Sequence, residues 1–457
     1  MVTVRCLMLG VVVAACGGST IGTEGPPPPP SSSIPPGGTS YDGGGFVVHE
    51  WGTNTIVVGT DGSLQLGLHH EEEDLPSFVA DRMKATKLGA PVEVKMETPV
   101  TYFYSPSPIA AQVSVQFPQG IFTQWYPHAA SFYPLLLPAT PNGSGSGVAD
   151  PILDPSYPFQ SSMCTNDYGQ AKNGLLDWGT VLVGARSDAP TLPEASLDKY
   201  SWSFARQVAS NPVSVTTTDS SGTTTEPEKF LFYRGVGNNA LPVTVTASND
   251  DGGVTMTYPQ STIMAPIPSV FVLRVGEKSG AFIAHPEGIA PGSSLDEIAP
   301  PLDASALPID AFSDALAKAV VVELDKTGLY HDESVAMVHT WQRQWFRTPG
   351  VRVLYLVPQA FTDAQIPITI TPKPDAITRV MMIRVEVLTR ALEQDDVKSL
   401  GCVAAADDAC AAHFTTLGRF AEPRLRRAMS ISKEWSSGAD ALLRAIQGPK
   451  TASATGE

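Results

Sequence analysis

Basic residues are scarce in this chain. Lys and Arg total 30 against 46 Asp and Glu, which gives a formal net charge of -16 at pH 7. No segment has the clustered Lys and Arg that follow a phosphate backbone, so nucleic acid is not an expected partner. The acidic residues are spread along the chain, where they favour solubility and attract divalent cations.

Cysteine is also rare, with five in the whole chain. Cys6 and Cys16 lie near the start, which leaves Cys164, Cys402 and Cys410 for the folded part. Cys402 and Cys410 enclose a short loop, and we predict that they form a disulfide worth about 2 to 3 kcal/mol in an oxidising compartment. For Cys164 a buried structural thiol is favoured over a reactive one, because no His lies near it in sequence.

The apolar run near the start, residues 7–13, is too short to cross a bilayer. It follows Arg5 and ends in small residues, which predicts a signal peptide over residues 1–15. Val13-Ala14-Ala15-Cys16 resembles the lipobox of bacterial lipoproteins. The resemblance implies that Cys16 becomes a lipidated N-terminus, with diacylglycerol on its thiol and an acylated amine that anchor it stably in membrane lipid. An ordinary leader that contains a cysteine is the alternative.

Residues 16–45 are predicted to form a disordered tether after the lipidated cysteine. From Gly17 to Gly45, 21 of 29 residues are Gly, Pro or Ser, a composition that cannot bury a core. Such a chain spans on the order of 30 Å, so the globular part would be held away from the lipid headgroups. Gly17 replaces the Asp that retains lipoproteins in the inner membrane, and this implies an outer-membrane location.

The globular part begins at about Phe46 and has an ordinary composition for a folded protein. β-branched and aromatic residues predict strands throughout its first part, among them Val92–Tyr104 and Gly174–Val183. Turn residues between Val213–Thr218 and Thr223–Thr225 predict a hairpin.

After Pro300-Pro301 the apolar residues recur with helical periods. Ile309–Lys326 is predicted to be a helix, and further helices are predicted from about Asp408 to Gln447. We therefore predict an α+β protein. An antiparallel, β-sandwich-like domain of residues 46–299 would pack on a mixed α/β, helix-rich domain of residues 300–457.

Complete catalytic motifs are missing. The chain has no Gly-x-Ser-x-Gly elbow, no Walker lysine motif and no Cys-x-x-Cys pair. His49-Glu50 is followed by Trp51-Gly52-Thr53, which lacks the second His that a zinc-binding His-Glu-x-x-His helix requires.

Several strings resemble those of uncharacterised secreted bacterial proteins. They are His49–Thr53 (HEWGT), Lys95–Tyr104 (KMETPVTYFY), Phe230–Gly235 (FLFYRG), Gly328–Tyr330 (GLY) and Arg352–Leu356 (RVLYL). The resemblance covers nearly everything after the tether. It implies kinship with that family and assigns no activity.

We place the candidate polar site at His49, Glu50, Glu97, Arg234 and Glu333. Histidine and paired carboxylates can perform general acid–base chemistry or hold a cation, and all five lie at predicted strand ends or helix starts. Structural roles are the alternative, because buried ion pairs and helix starts use the same residue types.

Histidine and carboxylates also concentrate at His69–Asp74 (HHEEED). A charged run of this kind is usually a solvated loop. The sequence assigns no cofactor; a divalent metal is the candidate considered, with His49, His69 and Glu97 as its candidate ligands.

Two functions of different class follow. The first is an outer-membrane lipoprotein whose β-rich part binds an unknown cell-surface or polymer ligand, which the tether and the missing catalytic motifs favour. The second is an extracytoplasmic hydrolase, with or without a metal, whose site lies between the two halves. A buried cluster containing His49 and Glu333 would favour the enzyme, and a dry apolar junction would favour binding.

Overall fold

A computed structural model describes most of the globular part of the chain. The described residues are 38–68, 71, 73, 75–82, 92–136, 164–165, 172–188, 190–192, 200–219, 222–247, 252–260, 265–404 and 408–447. The predicted lipidation site Cys16 and the metal-ligand candidate His69 lie outside them. Within these ranges no helix is both long enough and apolar enough to cross a membrane.

Strands dominate the first part and helices the second. The strands are β1 Val47–Val58, β2 Ala80–Asp81, β3 Val94–Tyr104, β4 Ile109–Phe117, β5 Gly120–Tyr126, β6 Ser131–Tyr133, β7 Leu135–Leu136, β8 Cys164–Thr165, β9 Gly174–Val183, β10 Val213–Asp219, β11 Gly222–Glu228, β12 Leu231–Gly237, β13 Thr244–Ala247, β14 Gly253–Tyr258, β15 Val270–Val275, β16 Ser279–His285, β17 Ser293–Ile298, β18 Leu307–Pro308, β19 Gly350–Val357, β20 Ile368–Thr371 and β21 Ala376–Val387. The helices are α1 Ile309–Asp325, α2 His331–Trp345, α3 Gln359–Gln365, α4 Arg390–Ala404, α5 Asp408–Thr415, α6 Ala421–Ile431 and α7 Ser436–Gln447, with 3-10 turns at Ser201–Gln207 and Gly418–Phe420.

The central sheet joins the two predicted domains. Its strand order is β18-β16-β15-β19-β21-β1-β3-β12-β5-β2. In its middle, β1 runs parallel to β21, from Val47 opposite Ala376 to Val58 opposite Val387. Strands from both sides of residue 300 therefore share one sheet. The predicted boundary at that residue marks a change of local pattern and does not separate the two parts of the structure.

A second sheet and a pair of helices cover the two faces of the central sheet. The second sheet has the order β11-β10-β9-β4-β20, with β6 paired on β9. One apolar core lies between the two sheets and includes Val48, Val181 and Ile383. The other core lies between the central sheet and α1 and α2, and it includes Trp51 and Leu316. This layered arrangement confirms the α+β class.

The last four helices have a small core of their own. Leu400, Phe414 and Leu425 are buried there on α4, α5 and α6. Cys402 and Cys410 form the predicted disulfide, with 5.9 Å between their Cα atoms. It links α4 to α5 across the short loop between them.

The segment before β1 is ordered from residue 38. Tyr41 is buried, and its ring centroid lies 5.4 Å from that of Tyr104. The carbonyl of Thr39 accepts a hydrogen bond of 3.0 Å from the backbone N–H of His331. The prediction of disorder is therefore wrong for residues 38–45. The average composition of the predicted tether is that of a disordered chain, but the tether includes one aromatic side chain, Tyr41, that can bury its ring against the folded part.

Candidate functional site

The five residues predicted to share a polar site lie in three separate clusters. His49 and Glu50 are neighbours on β1, and successive side chains of a strand point to opposite faces. Consequently His49 faces α2, whereas Glu50 faces the second sheet. Glu97 and Arg234 lie together in a third cluster farther along β3 and β12.

The first cluster, called here the His49 cluster, consists of His49, Glu333, Tyr104 and Tyr330. His49 Nδ1 lies 2.7 Å from Glu333 Oε2, and the Tyr104 hydroxyl donates to Glu333 Oε1 at 2.7 Å. The Tyr330 backbone N–H also donates to Glu333 Oε2, at 2.7 Å. Glu333 is in the first turn of α2, where the helix dipole favours a carboxylate.

The arrangement leaves one nitrogen of His49 available. Glu333 already accepts hydrogen bonds from the Tyr104 hydroxyl and the Tyr330 N–H, so the tautomer of His49 that fits this arrangement donates from Nδ1 and presents a lone pair at Nε2. That Nε2 has no hydrogen-bond partner among the described residues. Burial and the nearby Glu333 charge raise the pKa of Tyr104 well above its usual value, so its hydroxyl stays a donor. A histidine held in this way by a carboxylate can serve as a general base.

Glu50 is fully committed to structural bonds. Its Oε1 accepts hydrogen bonds from Arg379 Nε and Nη2 at 2.9 and 2.6 Å. Its Oε2 accepts from the hydroxyls of Thr101 and Tyr233 at 3.0 and 2.7 Å. With both oxygens doubly bonded, Glu50 joins β1, β3, β12 and β21 and has no free lone pair for catalysis.

Glu97 and Arg234 belong to a buried network of ion pairs. Arg419 Nη1 donates to Glu97 Oε2 at 3.0 Å, and Nη2 donates to Glu97 Oε1. Glu71 accepts from Lys95 at 2.6 Å and from Arg234 at 2.9 Å. Lys95 therefore pairs with Glu71, which lies 24 residues earlier in the chain.

A polar recess lies between this network and α2. Its lining residues are Glu71, Glu73, Glu97, Ser201, Trp202, Arg234, Thr340, Trp341 and Gln344. Burial alone would raise the pKa of Glu71, but the Lys95 and Arg234 charges outweigh it and lower that pKa. Burial raises the pKa of Glu73, against a backbone hydrogen bond from Ser201. The centre of a water molecule can reach a volume of about 10 Å³ inside the recess. This is roughly room for one water molecule.

An apolar cleft adjoins the polar recess. The two share Trp202 and Thr340, and Trp51, Phe78 and Phe230 are among the other residues that line the cleft. Its volume is about 20 Å³ on the same measure. The junction between the sheet and α2 is therefore apolar on one side and polar on the other, and it is not the dry apolar junction that would favour binding.

The metal hypothesis gains no ligand set from the described residues. Within those ranges, no three His, Cys, Asp or Glu side chains come together in a way that could hold an ion. Glu97 is occupied by Arg419, and His49 faces α2 in a different cluster. The third candidate ligand, His69, is outside the described part.

Sequence reasoning missed the outer face of the second sheet, called here the threonine face. Its outward side chains are Ala110, Gln112, Thr180, Leu182, Ser214, Thr216, Thr218, Thr223, Thr225, Pro227 and Thr371. These side chains are uncharged, and nearly all are exposed. Asp177, opposite Ser114 of β4, is a charged residue farther along the same outer face. The sequence signal for this face is the alternation of threonine in the predicted hairpin. From that alternation we predicted strands but no binding surface.

The threonine face continues into a groove at one end. The groove has a volume of about 520 Å³, and Pro108, Leu182, Pro190, Pro212 and Pro227 are among its lining residues. Leu182 is 49% exposed, unusual for a large apolar side chain in a strand.

Comparison with protein-family models and with curated proteins finds no match. The resemblance to secreted bacterial proteins stays a prediction.

Proposed function

We propose that this protein is a lipid-anchored protein of the outer membrane that binds a neutral, hydroxyl-rich polymer on its threonine face. The observation that carries this proposal is the row of uncharged, mostly exposed side chains across β4, β9, β10 and β11, in a chain with a net charge of -16. An anionic polymer would be repelled by the molecule as a whole, and a cationic one would favour its acidic surfaces. A neutral polysaccharide is neither repelled by the net negative charge nor attracted to the acidic surfaces elsewhere on the molecule.

The hydroxyl groups of the threonine face are already oriented. Thr216 and Thr225 are joined across β10 and β11 by a hydrogen bond of 2.9 Å between their hydroxyls, and Thr218 and Thr223 by one of 3.0 Å. A hydroxyl has one donor and two acceptor sites, so each of these groups keeps capacity for a bound sugar hydroxyl. Neighbouring strands lie about 4.8 Å apart, which gives a regular row of such groups.

The groove adds an apolar wall to this surface. Ligand sites commonly have volumes of about 300 to 1,000 Å³ and combine apolar contact with a few polar groups. The groove falls within that range at about 520 Å³. Prolines and Leu182 would contact the less polar faces of a sugar chain, while Ser214 would provide hydrogen bonds.

Co-sedimentation with insoluble polysaccharides tests the proposal. We expect the protein to be depleted from solution by neutral polymers such as cellulose or chitin, and to the same extent at low and high salt. Charge-based binding would instead weaken as salt screens it. Binding confined to charged polymers, or lost at high salt, would contradict the proposal.

A hydrolase is the second candidate, and the His49 cluster favours it. A buried cluster containing His49 and Glu333 is the feature expected of the enzyme. His49 Nε2 would accept a proton from water as the water attacks an acyl carbon, and Glu333 would stabilise the imidazolium that forms. The leaving group would then take that proton as its bond to the acyl carbon breaks.

The enzyme hypothesis is tested by ester hydrolysis with two matched histidine variants. His49→Gln should lower any turnover of an activated acetyl ester by about a hundredfold, the usual contribution of a general base. His331→Gln is the control, because His331 also pairs with a carboxylate, Asp325, at 2.9 Å near the start of the same helix. Equal losses in both variants, or no turnover by the unaltered protein, would rule out this candidate.

A further inference from the structure

We propose that residues 38–45, called here the strap, close the His49 cluster, and that release of the strap exposes His49 to solvent. The strap would thereby regulate the second candidate site, so its importance for activity rests on the hydrolase hypothesis. Its position over His49 can be tested without any turnover.

The strap packs on the aromatic rings that flank His49. The ring centroids of Tyr104 and Tyr330 lie 5.5 and 4.4 Å from the centroid of His49. The ring of Tyr41, in the strap, lies 5.4 Å from Tyr104 and 6.4 Å from Tyr330. His49 is only 3% exposed. The strap therefore belongs to the aromatic shell that separates the free nitrogen of His49 from solvent.

The first residues of the strap attach to the start of α2. The Thr39 carbonyl accepts a hydrogen bond of 3.0 Å from the His331 N–H, and the Arg186 guanidinium lies 5.5 Å from the centre of the Tyr41 ring. Gly38 fits closely here, because a Cβ at this position would lie 2.8 Å from the Cβ of His331. These contacts can break without disturbing a strand, and such local opening costs less free energy than global unfolding.

Three consecutive glycines, residues 43–45, join the strap to β1. Gly43 and Gly45 have φ angles of 91° and 72°, in the region that favours glycine. Directly after them, the Phe46 N–H donates to an Asp375 carboxylate oxygen at 2.8 Å and fixes the start of the sheet. The strap can therefore swing about this hinge while β1 stays in place. Because the strap ends the predicted tether, a pull on the tether acts on the strap before it reaches β1.

Labelling of the full chain with diethyl pyrocarbonate tests the proposal, with the rate at each histidine followed by peptide mass spectrometry. The imidazole lone pair attacks a carbonyl carbon of this reagent, so the rate reports access to the free ring nitrogen. His128 is the internal reference, because its Nδ1 also lies beside a carboxylate, 2.8 Å from Glu226, and its side chain is 39% exposed. We expect His49 to react at least about tenfold more slowly than His128, because the open state is a minor one. Equal rates in the unaltered protein would contradict the proposal.

Two glycines of the strap supply matched variants. Gly38 and Gly43 have φ angles of 118° and 91°, so alanine strains the backbone at both positions. At Gly38 the new Cβ would also collide with His331, whereas at Gly43 it would meet no atom of the described residues within 4 Å. Gly38→Ala should therefore label His49 at least about threefold faster than Gly43→Ala does. Equal rates in the two variants would show that the fit of the strap on α2 does not control access.

Tyr41→Ala removes the ring of the strap from the cluster and should speed labelling of His49 at least about tenfold. His339 lies farther along α2 and reports on the helix itself. If His49 and His339 accelerate equally, α2 has loosened as a whole and the strap is not the barrier, which overturns the proposal. Faster labelling of His49 alone supports it. Because labelling needs no turnover, this result in a protein without ester hydrolysis would keep the strap and rule out only the hydrolase.

Discussion

At the scale of single residues, this protein buries charge in well-bonded pairs. Glu50, Glu97 and Glu386 are each held by one or two arginines in the interior of the molecule. Removing one partner of such a pair leaves the other charge buried and uncompensated, which usually costs about 3 to 5 kcal/mol. The same residue types that suggested catalysis from the sequence are therefore also the main electrostatic ties between strands.

Glu97→Gln should destabilise the protein by about 3 to 5 kcal/mol at neutral pH, because it leaves Arg419 buried without its carboxylate. Urea unfolding measures the loss. The exposed Glu277 provides the control, and Glu277→Gln should change stability by less than about 0.5 kcal/mol. If Glu97→Gln unfolds at the same urea concentration as the unaltered protein, the pair is energetically neutral and this prediction is wrong.

The same pair makes a defined contribution to acid stability. Burial opposes ionisation of Glu97, but Arg419 outweighs it and lowers the pKa from 4.5 to about 2. Because the folded-state pKa is the lower one, the contribution is complete above about pH 4.5 and is lost as the pH falls toward 2. The stability difference between the unaltered protein and Glu97→Gln should shrink by about 3 kcal/mol across that window.

Residue chemistry was predictable from the sequence, but residue proximity was not. The sequence indicated that His49 and Glu333 could act together, and they do lie 2.7 Å apart. It also grouped Glu50 with His49, which strand alternation prevents. The partners Arg379 and Arg419 come from more than 300 residues away, and no local pattern reports contacts of that range.

At the scale of elements, the strongest local patterns became the expected structures. Gly174–Val183 is a strand as predicted, and the helix predicted over Ile309–Lys326 spans Ile309–Asp325. The predicted hairpin is present as β10 paired with β11. The helix α4 was missed, and so was the strand β16. Their apolar periods are weak, because few residues of either element are fully buried.

The segment of residues 38–45 contributes stability that its composition does not suggest. Tyr41→Ala should destabilise the folded part by about 3 kcal/mol, the usual cost of removing a buried aromatic ring. Thr39→Ala is the control, since Thr39 is exposed and contributes a backbone carbonyl to the contact with α2. Thermal or urea unfolding of the two variants measures the difference. Equal stability of both would mean that the segment is not part of the folded structure.

At the scale of the whole molecule, the layers leave one broad sheet face exposed. Helices α1 and α2 cover one side of the central sheet, and the second sheet covers the other side. The α+β class could be predicted because strands and helices separate along the chain. The single central sheet could not, because the parallel pairing of β1 with β21 joins segments more than 300 residues apart.

A binding isotherm on an insoluble neutral polysaccharide, recorded with a charge placed on the threonine face, tests whether that face is the binding surface. Thr216→Lys changes an exposed residue of β10, and Thr257→Lys makes the same change at an exposed residue of β14 in a different sheet. Both residues have a hydroxyl partner on a neighbouring strand.

We expect Thr216→Lys to weaken binding at least about tenfold, because the new charge must lose its hydration against a neutral surface. We expect Thr257→Lys to bind as the unaltered protein does. Unchanged melting temperatures would show that both variants fold. Equal affinities for Thr216→Lys and the unaltered protein would contradict the claim that the threonine face is the binding surface.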